Sequence, residues 1–318
     1  MKTFTAIILF LLSPLSFANN LEKGIELFNQ REYKQAMPIF ESLSNAGDIE
    51  ATYWLGASQY RTGEKFEAGY TYLEAAKKGN PWAMDMLVPR DGSPCSYLRW
   101  PCDEKWKNKA ITTWKQQAAN GSGKAMSMLL LRESPLWQLI PFYNDYRYNE
   151  LFEKAIPLGG YTLTDTVGLL SSEREQFKHL LVAANRGYAP AMATLFYYTN
   201  MLNLEDRLAW CLKAINLGYS QAAAVLSFAY TDGTKGVAKD KTKAIYYMFI
   251  EENLNNNKSD EFTLKSNIEY IISDEINIKT DSHKIDYNID NIKARADKFT
   301  ENIKPNMFLD ESSFDMIL

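Results

Sequence analysis

The chain has 318 residues, of which 46% are hydrophobic and 13% aromatic, and its formal net charge is −4. This acidic balance argues against a nucleic-acid partner, because such a partner requires a basic face. The three cysteines and two histidines are scattered without the spacing of a metal site, so we expect neither a metal nor a cofactor.

The first eighteen residues have the pattern of a cleavable secretory signal. A short basic start at residues 1–3 precedes an apolar run over residues 4–12, and Ser16-Phe17-Ala18 offers small residues where a signal peptidase cleaves. The run is too short to span a bilayer, and no later segment is long and apolar enough. We therefore expect residues 1–18 to be removed, and the mature protein to be periplasmic without stable membrane insertion.

A pattern of helix, turn and helix recurs over residues 19–252. Glycines spaced 28 to 42 residues apart are each followed by Ala or Leu at the fourth position and by Leu or Val at the eighth. Glycine ends one helix and turns the chain, and the two later residues share one face of the next helix. Stacked pairs would bury these faces in one core, which predicts an all-α solenoid. The glycines are Gly47, Gly79, Gly121, Gly159, Gly187 and Gly218.

The predicted helices begin with two regular pairs. The first pair covers residues 21–30 and 33–44, and the second covers residues 49–61 and 66–78. A third pair begins at Pro81, which suits the first position of a helix.

Residues 89–103 interrupt the array with a loop that holds Cys95 and Cys102. Cysteines in an exported loop are expected to form a disulfide. The tip of the loop carries residue types that dominate binding hot spots, so we predict that it binds a protein. In the alternative interpretation, Trp100 folds back onto the array and the disulfide only restrains the loop. The predicted binding residues of the tip are Tyr97, Leu98, Arg99 and Trp100.

The fourth pair is the least regular, since residues 132–148 are rich in aromatic residues and are broken by two prolines. This segment could be an irregular elbow packed into the core or a second binding surface, and the composition favours core packing. His179 and Cys211 lie within predicted helices, where we expect them to pack rather than to react. The aromatic residues of the segment are Trp137, Phe142, Tyr143, Tyr146 and Tyr148.

The last repeat is the most regular and carries a family resemblance. The positions Ala222, Leu226, Tyr230, Gly233, Gly236, Asp240, Ala244 and Tyr247 follow the order found in Sel-one-like repeats, which are relatives of tetratricopeptide repeats. The resemblance covers about residues 21–252 and implies a right-handed solenoid of antiparallel helix pairs. It also implies that Asp240 caps the second helix of its pair.

After residue 252 the composition changes. An asparagine-rich break precedes one apolar helical pattern that includes Phe262 and Ile271, and a second that includes Ile285, Ile292 and Phe299. We expect residues 253–318 to form a helical cap, with the end of the chain extended or disordered.

The first helices of stacked pairs line the concave side, so aromatic residues off their packing face should form a binding surface. In the alternative interpretation, these rings fill the core between repeats. The predicted contact residues are Tyr53, Trp54, Tyr197, Tyr198 and Phe228.

No arrangement of catalytic residues stands out, which indicates a protein-binding scaffold rather than an enzyme. Some exported bacterial proteins with Sel-one-like repeats are immunity proteins that neutralise lipase or phospholipase effectors of type VI secretion. The resemblance therefore implies such a partner. Two alternatives are an envelope adaptor that binds another protein or peptide, and a β-lactam-binding or β-lactam-hydrolysing enzyme of the kind linked to a cysteine-rich branch of the family.

Overall fold

A computed structural model of the chain describes residues 14–133, 136–140, 142–255, 259–276 and 288–313, and in these ranges it contains helices and no strand. The first thirteen residues of the expected signal peptide lie outside this description. No helix among the described residues has the length and apolarity that crossing a bilayer requires.

Sixteen α-helices follow one another along the described chain. Four short 3-10 helices lie at Leu136–Leu139, Ile156–Leu158, Tyr161–Leu169 and Leu195–Tyr197. The α-helices are α1 Pro14–Asn29, α2 Tyr33–Asn45, α3 Ile49–Thr62, α4 Lys65–Lys77, α5 Pro81–Met86, α6 Pro94–Tyr97, α7 Lys105–Ala119, α8 Gly123–Arg132, α9 Tyr143–Ala155, α10 Glu173–Asn185, α11 Ala189–Thr194, α12 Leu204–Asn216, α13 Ser220–Asp232, α14 Lys241–Asn255, α15 Glu261–Ile276 and α16 Ile289–Thr300.

The recurring glycines are the turns between helix pairs, as the sequence predicted. All six adopt a positive φ, from 87° at Gly218 to 106° at Gly79. The residue after each glycine donates its backbone N–H to a carbonyl five residues earlier, for example Asp48 to Leu43 at 3.0 Å and Tyr188 to Ala183 at 3.1 Å. This bond satisfies a carbonyl that would lack a hydrogen-bond partner at the end of a helix. The same turn geometry is therefore found at all six glycines.

The residues four positions after the glycines are buried in every repeat, which confirms the predicted packing face. Four of the residues at the eighth position are also buried, whereas Leu55 and Leu129 are only half-buried. The Asp240 carboxylate accepts a hydrogen bond from the Lys243 backbone N–H at 3.0 Å. The cap that the family resemblance implied is therefore present.

The described chain divides into two compact units, residues 14–28 with 32–107 and residues 29–31 with 108–313. In the first unit α2, α3, α4 and α5 pack in sequence order. Its core is aromatic, because the Trp54 ring lies 5.1 Å from Phe28 and 6.2 Å from Phe40.

In the second unit the helices from α10 to α14 pack as successive neighbours. The 3-10 helix Tyr161–Leu169 replaces a regular first helix, and it packs against α8 and α10. α15 and α16 lie where the sequence predicted the last two helices, and both pack on α14. Ile285 lies outside the described residues.

Candidate protein-binding surface

Two of the predicted concave-face residues, Tyr53 and Trp54, lie in the core of the first unit. Both side chains are almost fully inaccessible, and their rings make an edge-to-face contact at 5.8 Å. The prediction that they form an exposed contact surface was wrong, because α3 is covered by helices on both sides and most of its circumference is buried. The alternative interpretation, in which these rings fill the core, is the correct one.

The predicted contacts of the second unit are divided between core and surface. Tyr198 is buried, and its hydroxyl donates to the Gln176 side chain at 2.9 Å, so the prediction of an exposed ring was wrong here too. Tyr197 and Phe228 are exposed as predicted. They remain candidates for contact with a partner.

The loop disulfide is present between Cys95 and Cys102. Inside the loop, Trp100 folds back onto α4 and is buried. Its indole Nε1 donates to the Lys65 carbonyl at 2.8 Å, and its ring lies 5.5 Å from that of Tyr72. The prediction that Trp100 is an exposed binding residue was therefore wrong, and the alternative of a self-packing ring is correct.

The rest of the loop tip stays accessible to a partner. Tyr97 and Arg99 are exposed, and Leu98 is half-buried. The Tyr97 hydroxyl lies 3.0 Å from the Tyr60 hydroxyl. Burial, followed by this hydrogen bond, raises the pKa of Tyr60 to about 12, so the Tyr60 hydroxyl is neutral at physiological pH.

Sequence reasoning missed two exposed aromatic residues on α4, Phe66 and Tyr70. They are four residues apart and so share one face of the helix. This face lies away from the buried positions Ala68 and Tyr72. Each lies two residues before a buried position, and this offset places it on the opposite side of the helix. The offset was the sequence signal that could have identified both residues.

The most exposed apolar surface of the second unit is the segment of residues 136–146. Phe142 is 91% exposed, and Leu136 and Leu139 are each 80% exposed. Monomeric proteins seldom leave so many large apolar side chains together in water, and such patches usually mark interaction sites. We call this set the apolar segment: Leu136, Leu139, Ile140, Phe142, Tyr143 and Tyr146.

The local backbone explains why these side chains are exposed. A single 3-10 turn covers Leu136–Leu139, and Phe142 has a φ of 65°, in the left-handed region that a bulky residue rarely adopts. Trp137 anchors the segment, since its ring makes an edge-to-face contact with Tyr148 at 5.1 Å. The sequence favoured core packing for the whole segment, which is right for Tyr148 and the half-buried Trp137 but wrong for the rest.

The two groups that we singled out as possible catalytic residues within helices, His179 and Cys211, lie in packing positions. His179 is buried, with Nε2 2.7 Å from the Asn149 side-chain oxygen and its ring 5.3 Å from Phe152. Burial, followed by the charge of Lys178, lowers the pKa of His179. Burial also raises the pKa of the free Cys211 thiol to about 12, so it is not a ready nucleophile. Among the described residues there is no cluster of side chains able to hold a metal ion.

A shallow groove of about 560 Å³ runs along α10. Its lining comes from this one helix, with Phe177, Leu181 and Val182 at the centre and Arg174 and Lys178 among the charged residues. No serine, cysteine or histidine lines it. The groove therefore offers an apolar contact rather than an enclosed reaction site.

The described helices define an all-α protein of stacked antiparallel helix pairs. No family model matches the chain, and no curated protein matches it. Among solved structures, it is similar to a Sel1 repeat protein from Oxalobacter formigenes, with 17% identity, a TM-score of 0.35, and coverage of 76% of this chain and 91% of that one. It is also similar to a protective antigen of uropathogenic Escherichia coli strains that displays an SLR fold, with 15% identity, a TM-score of 0.31, and coverage of 91% and 71%.

Proposed function

We propose that this chain is a non-catalytic, exported scaffold that binds another protein through the apolar segment of residues 136–146. The observation that supports this most directly is the exposure of Phe142, which is 91% accessible and held in an unfavourable backbone conformation. Such strain persists only where the surrounding structure imposes it, and it is concentrated at functional sites.

The partner we propose is a lipase or phospholipase effector delivered by type VI secretion, with this chain as its periplasmic immunity protein. Three features of the sequence support this: the predicted signal peptide, the acidic charge and the resemblance to Sel-one-like repeats. Lipases carry apolar surfaces around their active clefts, and the apolar segment could cover such a surface and exclude the substrate. The exposed residues Tyr97 and Arg99 of the loop, and Phe66 and Tyr70 of α4 on which the loop packs, are a second candidate contact.

The experiment is a pull-down of the mature, oxidised protein from periplasm and from extracts that express neighbouring genes. The test variant carries Leu139→Ser and Phe142→Ser, and the matched control is Phe262→Ser, because Phe262 is 79% exposed on α15. We expect the test variant to bind at least about tenfold more weakly, as loss of a hot spot does, and the control to bind normally. Equal binding by both variants would exclude the apolar segment, and a further variant, Phe66→Ser, would then test the second candidate contact.

The identity of the captured partner separates the candidate functions. Capture of a lipase, together with protection of cells that express it, would establish the immunity role. Capture of envelope proteins alone would establish the adaptor. Turnover of a chromogenic β-lactam by the pure protein would overturn the non-catalytic assignment.

A further inference from the structure

The chain continues beyond α16 as an extended tail. Residues 301–313 contain no regular helix, although Glu311 and Ser312 are buried and the preceding residues from Pro305 to Asp310 are half-buried. A segment without its own secondary structure becomes buried only by lying on another part of the fold. In the second unit that other part is Asn29 and the series of glycine turns. The Asn29 side chain accepts a hydrogen bond from the Leu309 backbone N–H at 2.7 Å and donates one to the Leu309 carbonyl at 3.0 Å.

The first half of the tail contacts the two C-terminal glycine turns. The Asn306 backbone N–H donates to the Gly218 carbonyl at 2.9 Å. The Phe308 ring then lies between two tyrosines, edge-to-face with Tyr219 at 6.0 Å and with Tyr188 at 6.3 Å. These tyrosines are the residues directly after Gly218 and Gly187. The tail therefore contacts two consecutive turns.

The second half of the tail contacts the two turns before these. The Ser312 hydroxyl lies 2.9 Å from that of Thr162, and the Lys124 ammonium donates to the Glu311 carboxylate at 2.6 Å. The tail therefore contacts four successive turns, the two later ones through residues 306–308 and the two earlier ones through residues 311 and 312. We call the surface beneath it the turn track, formed by Lys124, Thr162, Tyr188, Gly218 and Tyr219.

Two features show how closely the tail fits the fold. Phe308 has a φ of 56°, a conformation that costs a bulky residue of the order of 1 kcal/mol or more. In addition, the backbone of the tail approaches Gly218 so closely that an added Cβ would lie 2.0 Å from the Lys304 carbonyl oxygen, whereas Gly187 and Gly159 have open space at the same position.

We propose that the turn track is a binding site for an extended protein segment and that the chain's own tail occupies this site as a tethered ligand. The contacts define the segment that would fit: an aromatic residue for the tyrosine pair, then a carboxylate three residues later for Lys124 and a hydroxyl after it for Thr162. A partner that carries this pattern would displace the tail. The proposal does not depend on the lipase partner or on the apolar segment.

Tethering explains why the site is filled in the free chain. A short tether holds its ligand at an effective concentration of about millimolar, so a free segment with the same contacts competes poorly. A half-buried segment without regular secondary structure can nevertheless open without unfolding the helices beneath it. Weakening the tail while keeping the track intact should therefore open the site to a peptide in trans.

The first test uses the full chain with Phe308→Ala and Glu311→Gln and a fluorescent peptide with the sequence of residues 304–313. We expect the peptide to bind this variant at least about tenfold more tightly than the wild-type chain, and a peptide with alanine in place of the phenylalanine to lose this binding. Equal binding to both chains would overturn the proposal. Loss of native helicity in the variant would also overturn it, because the tail would then be part of the folding core.

A second test needs no substitution. Hydrogen exchange of the wild-type chain should show the Asn306 amide exchanging at least about tenfold faster than the helical amides of α12 and α13, through local opening. Exchange of the tail and these helices at one common rate would mean that the tail leaves only on global unfolding, and would overturn the proposal.

Discussion

The indole of Trp100 occupies the space that a side chain at position 69 would fill. A Cβ added to Gly69 would lie 2.5 Å from the Trp100 Cδ1 atom, closer than any stable contact. The loop between the cysteines therefore fits onto α4 only because this helix lacks a side chain at that position. A glycine inside a helix lowers helix stability by roughly 1 kcal/mol relative to alanine. At position 69 the missing side chain leaves the space that the Trp100 ring occupies.

Substituting Gly69 tests this relationship directly. Helix propensity alone would make Gly69→Ala stabilising, but the clash must displace Trp100, so we expect a net loss of about 1 to 3 kcal/mol in the free energy of unfolding. The matched control is Gly168→Ala, where an added Cβ meets nothing within 4 Å. Urea denaturation measures both variants, and a Gly69→Ala chain as stable as wild type would contradict the packing described here.

The disulfide should stabilise the same loop. Replacing Cys95 and Cys102 by serine removes the restraint on a short loop, which costs about 2.5 kcal/mol in the chain-entropy treatment. We expect a lower melting temperature for the double variant and faster hydrogen exchange in α6. Replacing the buried Cys211 by alanine gives a comparison in which no cross-link is lost. An unchanged melting temperature in the double variant would show that the packing of Trp100 alone holds the loop.

Cys211 should be unreactive in the folded chain. Its thiol is buried and its pKa is raised to about 12, so the reactive thiolate is scarce near neutral pH. We expect no labelling by a thiol reagent in native buffer and one labelled cysteine per chain in urea without reductant. Rapid labelling of the native protein would indicate that α12 opens readily.

His179 should make stability depend on pH. Because burial lowers its pKa in the folded state below the usual value of 6.5, the unfolded chain binds more protons near and below that pH. The free energy of unfolding must then fall as the pH drops through 6.5 and level off below the folded-state pKa.

The variant His179→Gln isolates this contribution, since glutamine can still bond to Asn149. We expect its free energy of unfolding to change less than that of wild type between about pH 7.5 and 5. The neighbouring charges Lys178, Glu175 and Glu153 remain in both chains. Parallel pH profiles would show that His179 titrates normally.

The sequence predicted the architecture because the turn chemistry is local. A glycine followed by an alanine one helical turn later fixes both the left-handed turn and the buried face, and Gly187 with Ala191 shows both. The turn glycines, the loop disulfide, the buried thiol and the cap at Asp240 follow from residue type and spacing over a few positions.

The candidate binding surface was harder to predict, because the exposure of a side chain depends on which other helices pack against its own helix. The sequence predicted Tyr53 and Tyr197 for the same concave surface, yet the first is buried and the second exposed. In residues 136–146 the helical period is interrupted, so composition was the only remaining guide, and it favoured burial. The contacts of the tail join residues such as Lys124 and Glu311 that are 187 positions apart, and no local pattern reveals such a pairing.

The path of the tail also limits how the chain can change in evolution. Asn306 pairs with the turn at Gly218, and Glu311 pairs with Lys124 beside Gly121. In a solenoid each repeat contacts only its neighbours, so a repeat can be inserted or deleted without disturbing the others. Inserting or deleting a repeat between Gly121 and Gly218 would change the distance between these two contacts, and the tail could no longer make both. The number of repeats there and the length of the tail must therefore change together.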